Sequence, residues 1–230
     1  MALALFDLDN TLLNGDSDHA WGLFLAKVGA VDAQKQQQQQ DYFYQQYQDG
    51  TLDILKFLEY QLAPLTQFSL PQLEAWRDEF IDTVIKPMID TGKPELIEKH
   101  RLKNDHLVII TATNDFITRP IANELGVATL IATQAEMANG KYTGKCKGVP
   151  CFQAGKVERL EQWLNSVRMG TTQGDTIKAD LEQSRYKERY FYSDSINDLA
   201  LLELVDHPIV VTPDDKLRAH AEELHWQIID

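Results

Sequence analysis

The sequence predicts an α/β protein in which a doubly wound parallel sheet carries an inserted all-helical domain. Short apolar runs alternate with helical patterns, and most of these runs are continuous, as in a sheet that helices cover on both faces. A long segment after the first run breaks the alternation and contains helical patterns only. The predicted strands are residues 3–6, 107–110, 129–132, 190–192 and 209–211.

Helical patterns follow the predicted core strands. FITRPIANELGV ends at Gly126, a typical helix stop, and GKVERLEQWLNSV and NDLALLELV have apolar residues at helical spacing. This alternation predicts a doubly wound core, which binds ligands beyond the carboxyl ends of its strands. Asp7, Thr111 and Asp194 each lie at or just after such an end, so we expect them to meet in one crevice.

The inserted helical domain is predicted to span residues 15–86, with residues 1–14 and 87–230 forming the core. One of its helical patterns opens with Ser69 and Gln72, which have the spacing of a capping box. The glutamine run at 36–40 is expected to be a solvated helix face or a frayed end without chemistry.

Two stretches of the core are predicted to lie outside its βα alternation. In residues 134–143, Asn139-Gly140 is a strong signal for a hairpin turn. Residues 169–185 are polar and are expected to form a surface insertion.

Composition narrows the possible partners and location. The net charge is −13 at pH 7, with 35 Asp and Glu against 22 Lys and Arg, which argues against a nucleic acid or an anionic membrane partner. Cys146 and Cys151 lack a second Cys/His pair with zinc spacing, and reduced thiols in the cytoplasm are expected. The first residues lack a basic region, and no apolar stretch reaches the ~18 residues of a membrane helix, so neither a signal peptide nor a membrane span is expected.

Four polar fragments occur in a fixed order along the chain. They are FDLDNT with Asp7, Asp9 and Thr11, VIITATN with Thr111 and Asn114, AGKVERL with Lys156, and YSDSINDL with Asp194, Asn197 and Asp198.

Over nearly the whole chain, these fragments resemble the motifs of the haloacid dehalogenase superfamily. The resemblance is to the branch with a helical cap between the first and second motifs, which includes phosphoserine phosphatases. This sequence departs from the family pattern at Ser193 and Ser195, because glycines often flank the aspartate that Asp194 matches.

The resemblance implies phosphate-ester hydrolysis in two steps. Asp7 matches the nucleophile that forms an aspartyl phosphate, and Asp9 matches the acid that protonates the leaving oxygen and later activates water. Lys156 and the Thr111 hydroxyl match groups that bind phosphoryl oxygens. Read alone, Lys156 is most often a solvated surface lysine, and Thr111 alone is a strand-end hydroxyl.

The same resemblance implies a Mg²⁺ cofactor. Its ligands would be Asp7, the backbone carbonyl of Asp9 and Asp194, with Asp198 holding metal-bound water. A helix-start charge is an alternative reading of Asp198. Asn114 and Asn197 are expected to bind substrate, although Asn114 equally suits a helix cap.

The predicted function is a magnesium-dependent phosphatase for a small phosphorylated metabolite. A phosphotransferase or phosphomutase of the same superfamily and a non-catalytic binding module are the alternatives, and the sequence does not indicate the oligomeric state. Asp16 and Asp18 follow the nucleophile loop and favour a leaving group with an amine, such as histidinol phosphate, unless Asp16 caps the next helix. Phosphoserine is second, because its carboxylate needs a base and Arg77 is the only arginine in residues 15–86.

Overall fold

A seven-stranded sheet forms the centre of the protein in a computed structural model that describes residues 1–169 and 186–230. The strand order is β4-β3-β2-β1-β5-β6-β7, and all neighbours are parallel except β3 and β4. The predicted fold class is confirmed. The strands are β1 Leu3–Phe6, β2 His106–Asn114, β3 Thr129–Ala138, β4 Lys141–Lys147, β5 Arg189–Ser193, β6 His207–Val211 and β7 Gln227–Ile229.

Helices lie in the connections between these strands, except in the hairpin from β3 to β4. The α-helices are α1 Ser17–Lys27, α2 Ala33–Asp49, α3 Ile54–Leu62, α4 Leu70–Phe80, α5 Lys86–Asp90, α6 Glu95–Arg101, α7 Asp115–Glu124, α8 Ala154–Met169, α9 Leu199–Leu202 and α10 Asp215–Glu223. Short 3₁₀ turns span Ala63–Thr66 and Ile196–Asp198, and one π-helical turn spans Ile81–Ile85. In the described part of the chain, no helix has the length and apolar character needed to cross a membrane.

The residues of β1 are continuously apolar because both faces of this strand are buried. Ala4 and Phe6 face one hydrophobic cluster, Leu3 and Leu5 face another, and all four are fully buried. Neighbouring residues of a strand point to opposite faces, so a sheet covered on both sides needs apolar residues at every position. Helices α8, α9 and α10 cover the face of Leu3. Helices α6 and α7 cover the other face together with residues 15–86, called the helical segment below.

The described residues between β1 and β2 form helices and no strands, as the sequence predicts for most of this segment. Trp21 joins the helices to the core, because its ring lies 5.2 Å from Phe80 and 5.9 Å from Phe116 at the start of α7. Ser69 precedes α4 as its N-cap, but its side chain makes no capping bond. The division into domains at residues 14/15 and 86/87 stays a prediction.

The glutamine run corrects one sequence prediction. Gln36 and Gln40 are buried, so the expectation of a wholly solvated face is wrong for these two residues. They pack on Gly22 of α1, where an added Cβ would lie 2.1 Å from Gln36 Nε2 and 2.5 Å from Gln40 Nε2. Gln36 accepts a hydrogen bond from Tyr60, and Gln40 Nε2 donates to the His19 carbonyl at 2.9 Å. The absence of a side chain at position 22 therefore allows the two helices to enclose polar amides.

The predicted hairpin turn is present between β3 and β4. Asn139 and Gly140 have φ values of 52° and 75°, and two successive positive φ values are typical of a two-residue hairpin turn. Most of the predicted surface insertion, residues 170–185, lies outside the described residues.

Candidate active site

The carboxyl ends of the central strands open into a cavity of about 430 Å³. Asp7 directly follows β1, Asp194 directly follows β5, and Thr111 lies in β2, and all three line this cavity. The backbone N–H of Asp7 donates to the Tyr192 carbonyl at 2.9 Å, which fixes its position at the strand end. Parallel strands that end at one edge therefore bring these three distant residues together.

The loop after β1 turns sharply to place Asp7 and Asp9. Asn10 has a φ of 56°, a left-handed conformation that asparagine tolerates, and its N–H donates to the Gly15 carbonyl at 2.9 Å. Gly15 has a φ of 129°, a backbone conformation that would be strained for a residue with a side chain. The chain then enters α1, so the carboxylates stand between the strand end and the first inserted helix.

Lys156 is buried rather than solvated, which removes the surface-lysine alternative. Its ammonium donates to Asp7 Oδ1 at 2.8 Å and to Asp198 Oδ2 at 2.6 Å. Ser193 Oγ also donates to Asp198 Oδ2, at 2.7 Å. Burial lowers the pKa of Lys156, but Asp198 and Asp7 more than offset this effect and raise it above its ordinary value. The lysine is therefore a fixed positive charge beside Asp7.

The Lys156 ammonium does not neutralise all the carboxylates around it. Burial raises the pKa of Asp7, opposed by Lys156, and burial together with Asp7 and Asp198 raises the pKa of Asp194. Thr11 Oγ1 donates to Asp194 Oδ1 at 3.0 Å. Within residues 1–169 and 186–230, no three His, Cys, Asp or Glu side chains form a metal cluster by themselves. Two carboxylates at an uncompensated site fit Mg²⁺, which commonly takes one or two carboxylates and completes its octahedron with other oxygens and water.

Asp9 is held by groups from two other elements. Its Oδ1 accepts from the Ser17 N–H at 2.7 Å, and its Oδ2 accepts from Thr113 Oγ1 at 2.8 Å. Burial and the nearby Asp16 raise the pKa of Asp9 to about 6, against the effect of these hydrogen bonds. Sequence reasoning missed Thr113, although its spacing of two from Thr111 in the same motif was an available signal.

Asp16 both caps α1 and lines the cavity, the two alternatives that the sequence left open. Its Oδ1 accepts from the N–H groups of Asp18 and His19 at 2.8 and 2.9 Å, so it caps α1, and it also lines the cavity. Asp18 lines the same cavity with 6% of its surface exposed, and its Oδ1 has no hydrogen-bond partner among the described residues. Burial, reinforced by Asp16 and opposed by a side-chain hydrogen bond with Gln61, raises the pKa of Asp18 to about 8.

The helical segment supplies the far wall of the cavity, whose individual residues the sequence analysis did not identify. Its side chains there are mostly aromatic or amide: Gln40, Phe43, Tyr44, Tyr47, Phe57 and Gln61. The sequence led us to expect that the inserted helices close over the phosphate site, but amphipathic spacing alone does not show which of their residues line it.

Tyr47 explains one departure from the family pattern. Its hydroxyl lies 2.6 Å from Ser195 Oγ, across the cavity from α2 to the loop after β5. A glycine at position 195 would offer no side-chain partner. The serine therefore links the helical segment to the loop that carries Asp194.

The two predicted substrate-binding asparagines are placed differently. Asn197 lines the cavity, and its Oδ1 accepts from Gln153 Nε2 at 2.8 Å. Asn114 lies outside the cavity lining, and its buried Oδ1 has no partner among the described residues. It is the N-cap of α7 but makes no side-chain capping bond, so this geometry supports neither predicted role.

The carboxylate that directly follows the first strand is held by a buried ammonium, an arrangement compatible with the hydrolase family that the sequence motifs resemble. Residues 4–203 match the model of the haloacid dehalogenase-like hydrolase family, and the chain belongs to this family.

Known proteins place the chain more narrowly within the family. It is 42% identical over 229 residues to a histidinol-phosphatase of Neisseria meningitidis serogroup C (strain 8013), covering 99% of this chain and 98% of the relative. A Bordetella pertussis Tohama I protein of unknown function has a similar crystal structure, with a TM-score of 0.87 and 40% identity over 100% of this chain and 98% of that one.

A phosphoserine phosphatase solved as a phospho-aspartyl intermediate analogue has the same fold. Its TM-score is 0.64 at 16% identity, over 99% of this chain and 92% of that one. The protein is an enzyme, a phosphoric monoester hydrolase of the haloacid dehalogenase type.

Proposed function

We propose that this enzyme hydrolyses histidinol phosphate, or a close amino-alcohol phosphate, with Mg²⁺ and through an aspartyl phosphate on Asp7. The observation that carries the choice of substrate is the Asp18 carboxyl group, which is buried, lines the cavity and has an oxygen without a partner among the described residues. Burial disfavours the ionised form of this carboxyl group, and a substrate ammonium that pairs with the carboxylate would offset that cost. The 42% identical histidinol-phosphatase supports the same choice.

In the first step, an Asp7 oxygen attacks phosphorus and the bond from phosphorus to the ester oxygen breaks. Lys156, 2.8 Å from Asp7, orients the carboxylate and stabilises negative charge on the phosphoryl oxygens. Asp9 gives its proton to the leaving alkoxide, which departs as the alcohol. The Thr111 hydroxyl, at the end of the same cavity, binds a phosphoryl oxygen.

In the second step, Asp9 is ionised and accepts a proton from water as the water attacks phosphorus. The bond from phosphorus to Asp7 breaks, inorganic phosphate leaves, and both aspartates return to their starting states. One residue serves as acid and then as base, which its pKa near the physiological range permits.

Asp7, the Asp9 backbone carbonyl and Asp194 would hold Mg²⁺, and bound Mg²⁺ offsets negative charge between the nucleophile and the phosphate. The Asp198 carboxylate accepts from Lys156 and Ser193, so its direct contribution is to fix the lysine.

The test of the substrate is kcat/KM for histidinol phosphate, phosphoethanolamine, phosphoserine and glycerol phosphate. We expect histidinol phosphate to rank first, and Asp18→Asn to lose at least about tenfold on the amines, the effect of one weakened ion pair. Its kcat/KM for glycerol phosphate should stay within about twofold of wild type, a negligible free-energy difference. Asp41→Asn, an exposed carboxylate on α2 outside the cavity lining, is the matched control.

Two outcomes overturn the choice of substrate and leave the phosphatase assignment intact. One is a preference for glycerol phosphate, and the other is unchanged amine selectivity in Asp18→Asn. Addition of alcohol acceptors to the same assay separates hydrolysis from transfer, because a phosphotransferase would form new phosphate esters in place of inorganic phosphate.

The raised pKa of Asp18 gives a pH prediction. With a pKa of about 8, the free enzyme holds Asp18 mainly protonated at neutral pH, and a protonated acid does not pair with an ammonium. Between pH 7 and 8.5, KM for an amine substrate should therefore fall as Asp18 ionises. The ratio of KM for histidinol phosphate to KM for glycerol phosphate measures this effect, and Asp18→Asn should make the ratio independent of pH.

Removal of divalent metal should abolish the phosphatase activity. Lys156 already bonds Asp7 and Asp198, so it cannot also neutralise Asp194. We expect excess chelator to abolish turnover, Mg²⁺ to restore it, and Ca²⁺ to inhibit because its looser coordination spoils the alignment of nucleophile and phosphorus. Full activity in excess chelator would exclude the metal site at Asp7 and Asp194.

Location and partners stay predictions. These are a cytoplasmic location, with Cys146 and Cys151 as free thiols, and a partner limited to a small phosphate ester.

A further inference from the structure

A second cavity of about 430 Å³ shares no lining residue with the active site within residues 1–169 and 186–230. It lies where α4 of the helical segment meets α7, α8 and the hairpin of β3 and β4. Three arginines from three different helices line it: Arg77 on α4, Arg119 on α7 and Arg159 on α8. The proposed phosphatase reaction uses none of them.

These arginines make few hydrogen bonds within the described part of the chain. Arg119 Nη1 donates to the Ala128 carbonyl at 3.0 Å, Arg159 Nη2 donates to the Ala132 carbonyl at 3.1 Å, and Arg77 Nη2 donates to its neighbour Asp78 at 3.3 Å. Each guanidinium has five N–H donors, so most of them remain available.

Arg77 is the most constrained of the three. Its guanidinium lies 5.0 Å from the centre of the Phe116 ring, and its Nε is buried with no partner among the described residues. A buried donor without a partner is costly, and native structures usually supply one as protein, water or ligand.

The charges around this cavity are unbalanced. Among the described residues, Asp115 is the one carboxylate in the lining. Its Oδ1 accepts from the Ala135 N–H at 2.9 Å, and the nearby Arg159 and Arg119 oppose the effect by which burial raises its pKa, so one carboxylate faces three guanidiniums. The chain as a whole has a net charge of −13, so a local excess of positive charge is unusual for this protein. Several guanidiniums that converge on one space favour oxyanions, which they bind in a bidentate manner.

We propose that this cavity binds a small organic anion with two carboxylate or phosphate groups. Phe116, Leu130 and Met137 provide an apolar surface for its carbon skeleton, while the arginines hold its two charged ends. Because Arg77 belongs to the helical segment and Arg119 and Arg159 flank the sheet, the bound anion fastens these two parts of the protein together. This site goes beyond the proposed phosphatase function.

Calorimetric titration with succinate, and separately with inorganic phosphate, tests the proposal. We expect saturable binding of at least one probe, weakened about tenfold or more in Arg77→Gln and in Arg119→Gln, since each change removes one charged contact. Arg218→Gln is the matched control, because Arg218 lies outside this cavity and pairs with Asp230. Without added anion, both variants should stay folded and keep the kcat/KM of wild type, while the lost contacts of Arg77 with Phe116 and of Arg119 with the Ala128 carbonyl should lower thermal stability slightly.

The outcomes separate the two anion sources and the two cavities. Binding of succinate points to carboxylates and binding of phosphate alone points to phosphate groups. Binding that the arginine substitutions leave unchanged belongs to the active site and overturns the proposal. Absence of binding by either probe at concentrations up to tens of millimolar also overturns it, and neither result bears on the phosphatase assignment.

Discussion

Asp7→Asn is expected to lower kcat for phosphate-ester hydrolysis at least about 10³-fold, because an amide is no nucleophile and the covalent step has no substitute. The change is nearly isosteric, and the amide oxygen can still accept the hydrogen bond that Lys156 now donates to Asp7 Oδ1. Rapid acid quench followed by mass spectrometry should detect a phosphoenzyme in the wild type and none in the variant. Retention of a tenth of wild-type activity would show that the covalent mechanism is wrong.

The same variant should not melt at a lower temperature than the wild type in the absence of metal. The raised pKa of Asp7 means that the folded protein disfavours its ionised form relative to the unfolded chain, so at neutral pH this charge costs stability. The neutral amide relieves that cost, and Lys156 keeps Asp198 as its charged partner at 2.6 Å. Asp206→Asn is a useful contrast, because the Arg189 ion pair lowers the pKa of Asp206 and its removal should lower the melting temperature.

Sequence reasoning located the centre of the site because one physical rule applies to it. Asp7, Thr111 and Asp194 were expected together because ligands of a doubly wound sheet bind at the carboxyl ends of its strands. Lys156 came from the family resemblance and not from its position in the chain. Its burial between Asp7 and Asp198 depends on how α8 packs, which its own sequence does not reveal.

The helical wall of the cavity was less predictable because it depends on contacts between helices. A run of glutamines reads as solvated, yet Gly22 on α1 leaves the space in which Gln36 and Gln40 are buried. The bond from Tyr47 to Ser195 joins residues that are 148 positions apart and follows no local pattern. Strand β7 was missed for a simpler reason, since its three residues are too few to show periodicity.

Asp9→Asn is expected to produce the second largest loss, about 10²- to 10⁴-fold in kcat for histidinol phosphate, the range of a general acid or base. An alkoxide is a poor leaving group and needs a proton as the ester bond breaks. The asparagine side chain would still accept from Ser17 or Thr113, the two groups that hold Asp9 at 2.7 and 2.8 Å, so its placement should persist. Thr113→Val, which removes one of these bonds, should give a smaller loss of the same kind.

The leaving group separates the two duties of Asp9. Nitrophenolate departs without a proton, so Asp9→Asn should still form phosphoenzyme from p-nitrophenyl phosphate at close to the wild-type rate. The second step lacks its base on either substrate, because water must still be deprotonated as it attacks phosphorus. A stopped-flow trace should therefore show a burst of nitrophenolate equal to the enzyme concentration, followed by slow turnover and accumulated phosphoenzyme. An equal loss on both substrates with no burst would instead mean that Asp9 only positions Asp7 or the metal, and the acid–base assignment would have to move to another residue.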